Sequence, residues 1–149
     1  MRLNSNARLE RPKILAVAAM LAALAVMPGA ASAQTASGVA ISPAFREAIP
    51  NIPGKSITAI VVSYAPGGKS PSHRHAGSAF IVGYVLSGAI RSQVNDGPVQ
   101  VFHAGESWTE QPGAHHGISE NASITEPAKL LAIFVADTNE TALTTNDAQ

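Results

Sequence analysis

The residues best suited to chemistry are His73-Arg74-His75. They lie between a Gly/Pro-rich approach, Ala65 to Ser72, and an apolar run from Ala79 to Leu86. In a β-strand, residues i and i+2 point to the same face, so H-x-H aims two imidazoles at one spot. Their Cα atoms stand roughly 7 Å apart, close enough for the rings to share one metal ion. A third imidazole is available in the pair His115-His116. Neutral imidazoles suit Fe²⁺, Zn²⁺, Ni²⁺ and Cu²⁺, and Mn²⁺ is also accommodated. Three of them leave positions open for water or substrate, which a catalytic metal needs and a structural one does not. Because a ligating ring must be neutral, metal affinity should fall below roughly pH 6.5. On spacing alone, two histidines flanking an arginine are equally an ordinary solvated edge, so the elements around them decide.

Those elements read as strands. Ile57 to Tyr64 is rich in β-branched residues and closes on Pro66-Gly67-Gly68. Phe80 to Leu86 is apolar on both faces, and Ser87-Gly88 turns it into Ala89 to Val94. Asn95-Asp96-Gly97 makes a tight hairpin, with Gly97 expected to supply the positive φ, and Pro98 to His103 alternates as its partner. Ser107 to Glu110, His116 to Ser119 and Lys129 to Ala136 complete the set. One short helical turn is expected over Pro43 to Ile49, and a frayed tail after Asp137. Short, closely spaced strands with Gly, Pro and Asp-Gly punctuation predict an all-β sandwich or small barrel.

The chain opens differently. Arg2, Arg8, Arg11 and Lys13 precede an unbroken apolar run, Ile14 to Met27, and then Ala31-Ser32-Ala33. The run is shorter than the roughly 18 residues of a spanning helix, so it reads as an export signal cleaved after Ala33. The absence of cysteine excludes attachment through a lipidated one and forgoes disulfides. The expected organisation is signal peptide 1–33, leader and extension 34–54, barrel 55–137 and tail 138–149, in a periplasmic or secreted protein. From Gln34 onward, six basic side chains face nine acidic ones, a net charge of about −3 with His neutral. No basic stripe is offered to nucleic acid or anionic lipid, and no membrane anchor is expected after cleavage.

Two spaced motifs make the chain similar to the cupin family. The first, G-x5-H-x-H, is matched by Gly67, five residues and His73-Arg74-His75, with Gly88 following the next strand. The second, G-x5-P-x-G-x2-H, is matched by Gly105, Gly113 and His116, with Gln111 in the proline position. The likeness covers about Ile57 to Ala136 and resembles small single-domain bacterial cupins. It implies a jelly-roll β-barrel holding a divalent transition metal on His73, His75 and His116, with Arg74 facing away. It also implies a homodimer and, by likeness to quercetin dioxygenase-like cupins, a metal-dependent oxidoreductase acting on a small organic substrate. A binding or sensor cupin without turnover is the rival, and a structural barrel with vestigial histidines the third reading. The family's glutamate ligand is missing: its position falls on Ala79, Phe80 or Ile81, depending on the count, and none can ligate. Three neutral ligands without an anion should hold a hard cation such as Mn²⁺ weakly and favour an anionic substrate.

Other residues have two readings each. Gln111 is a weak oxygen ligand, a hydrogen-bond partner to a histidine or, more plainly, a loop residue. His115 is a neighbour of the site or a replacement for His116, and His103 a surface residue. Phe80, Tyr84 and Trp108 line a pocket or are plain core. Glu106 and Glu110 share a face with Trp108; one could enter the barrel, but such a pair is more often a solvated face.

Overall fold

A computed structural model describes residues 38–148; the expected export signal and residues 34–37 lie outside them. Ten strands form among the described residues. They are β1 (Val39–Ala48), β2 (Lys55–Tyr64), β3 (His73–His75), β4 (Phe80–Ser87), β5 (Ala89–Val94), β6 (Gln100–His103), β7 (Ser107–Glu110), β8 (His115–Asn121), β9 (Ala128–Asp137) and β10 (Thr144–Asn146). They pair antiparallel into two five-stranded sheets, β1-β2-β9-β4-β7 and β10-β3-β8-β5-β6, the all-β jelly-roll arrangement.

The strand β9 shows why the sheets close on each other. Ala128, Leu130, Ala132, Phe134 and Ala136 all point inward, the period of two that a half-buried strand requires. Leu130 packs with Val62, Val85 and, from the second sheet, Ile90, while Phe134 packs with Ile81. Ile81, Val85 and Ile90 are fully buried, each stabilising the fold by roughly 1.5–3 kcal/mol. The alanines between the larger side chains leave room inside.

Three local expectations are corrected. Pro43 to Ile49 does not form a helical turn; β1 runs through to Ala48 along β2, from Val39 opposite Tyr64 to Ala48 opposite Ser56. The ladder slips between Pro43 and Phe45, and β1 is an edge strand, so the proline's missing N–H is accommodated. The tail is not wholly frayed: Thr144, Thr145 and Asn146 pair with His75, Arg74 and His73 and cover an otherwise bare edge of β3. In the hairpin, Asn95 rather than Gly97 takes the positive φ, at 51°. Asparagine tolerates that region, and its Oδ1 accepts the His115 N–H at 2.9 Å.

Candidate metal centre

Register brings the three imidazoles together. β3 runs antiparallel to β8 with His73 directly opposite His116, and His75 lies two residues along the same face. One nitrogen from each ring lies within 4.8 Å of the others. Ring centres are 4.9 Å apart for His73–His75, 5.2 Å for His73–His116 and 5.9 Å for His75–His116. Rings bound at about 2.1 Å to one ion would have centres roughly 4.6–5.3 Å apart, so a small adjustment suffices. His75 and His116 are buried and His73 is half-buried. The His73 Nδ1–H donates to the Pro71 carbonyl at 2.8 Å, which leaves the Nε2 lone pair free. His116 Nε2 stands 2.9 Å from Ser92 Oγ, so Ser92, not Gln111 or His115, is the polar group orienting that ring.

β4 brings no carboxylate to the cluster, but β7 places one beside it. Glu110 is directly opposite Ile81, one of the positions where the family places its glutamate. Facing residues of paired strands share a face, so the anion reaches the same interior from the neighbouring strand. Glu110 is 2% exposed, and its Oε1 accepts the Trp108 Nε1–H at 3.0 Å. Oε2 lies 2.9 Å from His75 Nε2, and Oε1 lies 3.3 Å from His116 Nδ1. The His75 contact is close but out of line for a hydrogen bond. Glu110 Oε2 and both His75 ring nitrogens are therefore buried without a hydrogen-bond partner. Such groups cost roughly 1–3 kcal/mol each when unsatisfied. Two ligand atoms at right angles on one ion, each at about 2.1 Å, are roughly 3 Å apart, close to the separation found here. The three imidazoles fit a divalent metal, and a buried carboxylate that the sequence reading did not place there stands beside two of them.

Burial pushes the Glu110 carboxyl up, but the imidazoles of His75 and His116 and the Trp108 N–H outweigh it, holding it below its ordinary value. Burial also lowers His73, against the opposing Pro71 carbonyl. It lowers His116 to about 4, with Glu110 opposing. An imidazole depressed on folding stays neutral where the unfolded chain is already protonated. The stability it contributes is therefore full above about pH 6.5 and is lost as pH falls from there through about 4. The metal-free protein should accordingly melt progressively lower over that window. The same shift moves proton competition for a metal below the ordinary imidazole range. Between pH 7.5 and 5.5, metal affinity measured by equilibrium dialysis should fall far less than the roughly thousandfold loss of three unperturbed imidazoles. A loss of that full size would contradict the depressed values.

Trp108 owes its position to Gly83. The two are opposite in the β4–β7 register, and a Cβ on Gly83 would lie 2.6 Å from the indole ring. The glycine is what lets the ring lie against the strand. Gly83→Val should displace the indole, break its bond to Glu110 and destabilise the fold by about 1–3 kcal/mol. Thermal melting and the emission of Trp108, the chain's one tryptophan, would show it; unchanged emission would mean the ring is not held this way.

Most of the other residues selected from the sequence fall outside the site. Phe80 is half-buried and Tyr84 is 40% exposed, neither on the cavity wall. Strand parity is the reason: Ile81, Gly83 and Val85 take the inward positions, and a shift of one residue changes face. Trp108 does line the cavity. Gln111 is exposed in a turn, its carbonyl accepting the Ala114 N–H. His115 bonds away from the cluster, to Ser72 and Asp147. Arg74, His103 and Glu106 are exposed, Glu106 accepting the His103 backbone N–H. Sequence reasoning missed Ser92 and Gly83 altogether and read Glu110 as more often solvent-facing.

Two antiparallel sheets around an inward cluster of imidazoles define a small jelly-roll barrel with a candidate metal centre. The Cupin domain matches residues 60–134, half of the chain, and the chain belongs to that family. No curated protein matches it significantly. Among solved structures it resembles an oxalate oxidase in complex with the substrate analogue glycolate, at 24% identity and a TM-score of 0.55, over 68% of this chain and 53% of that one. The chain thus spans about half the length of that oxidase. It is also similar to a conserved Klebsiella pneumoniae protein with a double-stranded beta-helix domain, at 20% identity and a TM-score of 0.60, over 79% and 91% of the two chains. A Thermus thermophilus protein matches at 23% identity and a TM-score of 0.55, over 70% and 90%. At these identities the likeness concerns the fold.

Proposed function

We propose that this cupin holds one divalent transition metal on His73, His75 and His116, with Glu110 completing the set, and acts as a dioxygenase-like oxidoreductase on a small organic substrate. The observation that carries the reading is the cluster of three imidazoles in the wall of an apolar cavity, with the buried Glu110 carboxylate beside it and unpartnered atoms on His75 and Glu110. The metal would supply a Lewis-acidic centre with positions open to substrate and O₂. The protein's own part is to fix the rings through Pro71 and Ser92, hold Glu110 ionised, and surround the centre with hydrocarbon. Elemental analysis of untagged protein, followed by oxygen uptake with catechol- or flavonol-like substrates, tests it. Less than about a tenth of an equivalent of any transition metal after reconstitution would end the reading. Full metal without oxygen uptake would favour a binding or sensor cupin.

Export and pairing belong to the same proposal. The basic start, apolar run and Ala31-Ser32-Ala33 support a periplasmic or secreted protein, testable by the N-terminal residue of the purified chain, expected at Gln34. Ile41 (61% exposed) and Phe45 (48% exposed) on the edge strand β1 support a homodimer formed through that strand. A protomer mass by light scattering would exclude it.

A further inference from the structure

The cavity beside the imidazoles has a volume of about 590 Å³. That is the size of pockets that enclose drug-sized molecules, and far more than a two-carbon acid fills. Ile60, Val62, Ile81, Leu130, Phe134 and Trp108 give its wall a largely apolar character. No lysine or arginine among the described residues lines it. Lys69 and Arg91 are paired with Glu120 outside it, and Arg74 is exposed on the other face of β3. With Glu110 beside the cluster, the interior carries no fixed cation to offset a second negative charge on a ligand.

Besides Thr144 and Asn146, the cavity wall carries a cluster of hydroxyls. Tyr64 Oη lies 2.8 Å from Ser119 Oγ and 3.0 Å from Ser70 Oγ, and all three residues line the wall. Tyr64 has one proton, so it donates to one serine and accepts from the other. The serine that accepts keeps its own proton free to donate. Burial raises the Tyr64 pKa, keeping the phenol neutral. Ser119 reaches the interior because β8 carries an extra residue, Gly117, where its pairing with β5 slips between Gln93 and Val94. The bulge puts Ser119 on the same face as His116, at most roughly 10 Å along the strand.

We propose that the cavity is a binding site for an uncharged, largely aromatic ligand about two fused rings long. Its oxygen-bearing head lies at the imidazole cluster, and a carbonyl or hydroxyl oxygen at the far end is received by Tyr64, Ser70 and Ser119. Small dicarboxylates are poor ligands, because only one end would meet positive charge and the hydrocarbon wall would stay unfilled. The proposal rests on the metal reading above for the head group and on the hydroxyl cluster for the far end.

Titration calorimetry on the full chain, zinc-loaded and metal-free, with 6,7-dihydroxycoumarin, an uncharged two-ring diol with a carbonyl at its far end, and with oxalate tests both parts separately. The diol should bind the zinc form one per chain, at least thirtyfold tighter than oxalate. Ser119→Ala and Tyr64→Phe should each weaken the diol about fivefold, with zinc per chain unchanged. If Tyr64→Phe fails to fold, Ser119→Ala decides. Oxalate binding as tightly as the diol, or variants that bind the diol like the parent protein, would overturn the proposal. A chain that takes up no zinc overturns the metal reading instead. The metal-free titration then decides this one: the diol must still bind in preference to oxalate and weaken with Ser119→Ala, and otherwise the proposal fails too.

Discussion

His116→Ala should lose most of the bound metal, while His103→Ala keeps it. Removing a group that merely supports a ligand typically lowers metal affinity ten- to a hundredfold, and removing a ligand itself should exceed that. His116 is buried against Ser92 on one side and the cluster on the other, so alanine deletes a donor that no neighbour can replace. His115 does not substitute for it, because its ring is engaged by Ser72 and Asp147 on the opposite face of β8. His103 sits exposed at the end of β6, and its loss should leave both metal content and melting unchanged. Metal per chain after dialysis, read beside the melting temperature, separates loss of a ligand from loss of fold. Ser92→Ala should fall between the two variants, since it frees the ring without deleting it. Equal metal loss in the His116 and His103 variants would mean that the ligand set is wrong.

The parts of this fold legible in the sequence are those governed by local periodicity. β4, β5 and β7 begin where alternation and turn residues put them, and the spacing of two motifs was enough to gather His73, His75 and His116. What local pattern could not supply is information held in the register between distant strands. Glu110 is an example: its alternation with Trp108 and Glu106 is as compatible with an outward face as with an inward one. Only pairing with Ile81 makes it interior. Strand β4, apolar on both faces, offered no parity with which to choose Ile81 and Gly83 over Phe80 and Tyr84. β10 was hidden for a similar reason. Thr144 to Asn146 have little strand character of their own and become one by covering the edge of β3. Gly83 carried the one local signal left unused, since an interior glycine in a strand marks a close approach.

Glu110→Gln should weaken metal binding by ten- to a hundredfold or more while leaving the metal-free protein close to its original melting temperature. Those two results, with a larger loss for Mn²⁺ than for Ni²⁺, would identify the carboxylate as a ligand. Glutamine keeps the shape and can still accept the Trp108 N–H through its carbonyl oxygen. Its amide end would replace Oε2, which now stands unpartnered beside His75 Nε2. A small rotation of the amide lets an N–H there donate to the imidazole lone pair, satisfying in the metal-free state a nitrogen that the native protein leaves bare. The same bond occupies the electron pair a metal would need. With a carboxylate that only braced Trp108 and His75, this blocking would be the sole cause of loss and would fall alike on every metal. The charge makes a further distinction. Without the anion the site presents only neutral nitrogen donors, which suit nickel and copper better than manganese. Affinity for Mn²⁺ should therefore fall more than affinity for Ni²⁺. If both fell equally with the fold intact, the amide would be blocking His75 without Glu110 ever having been a ligand.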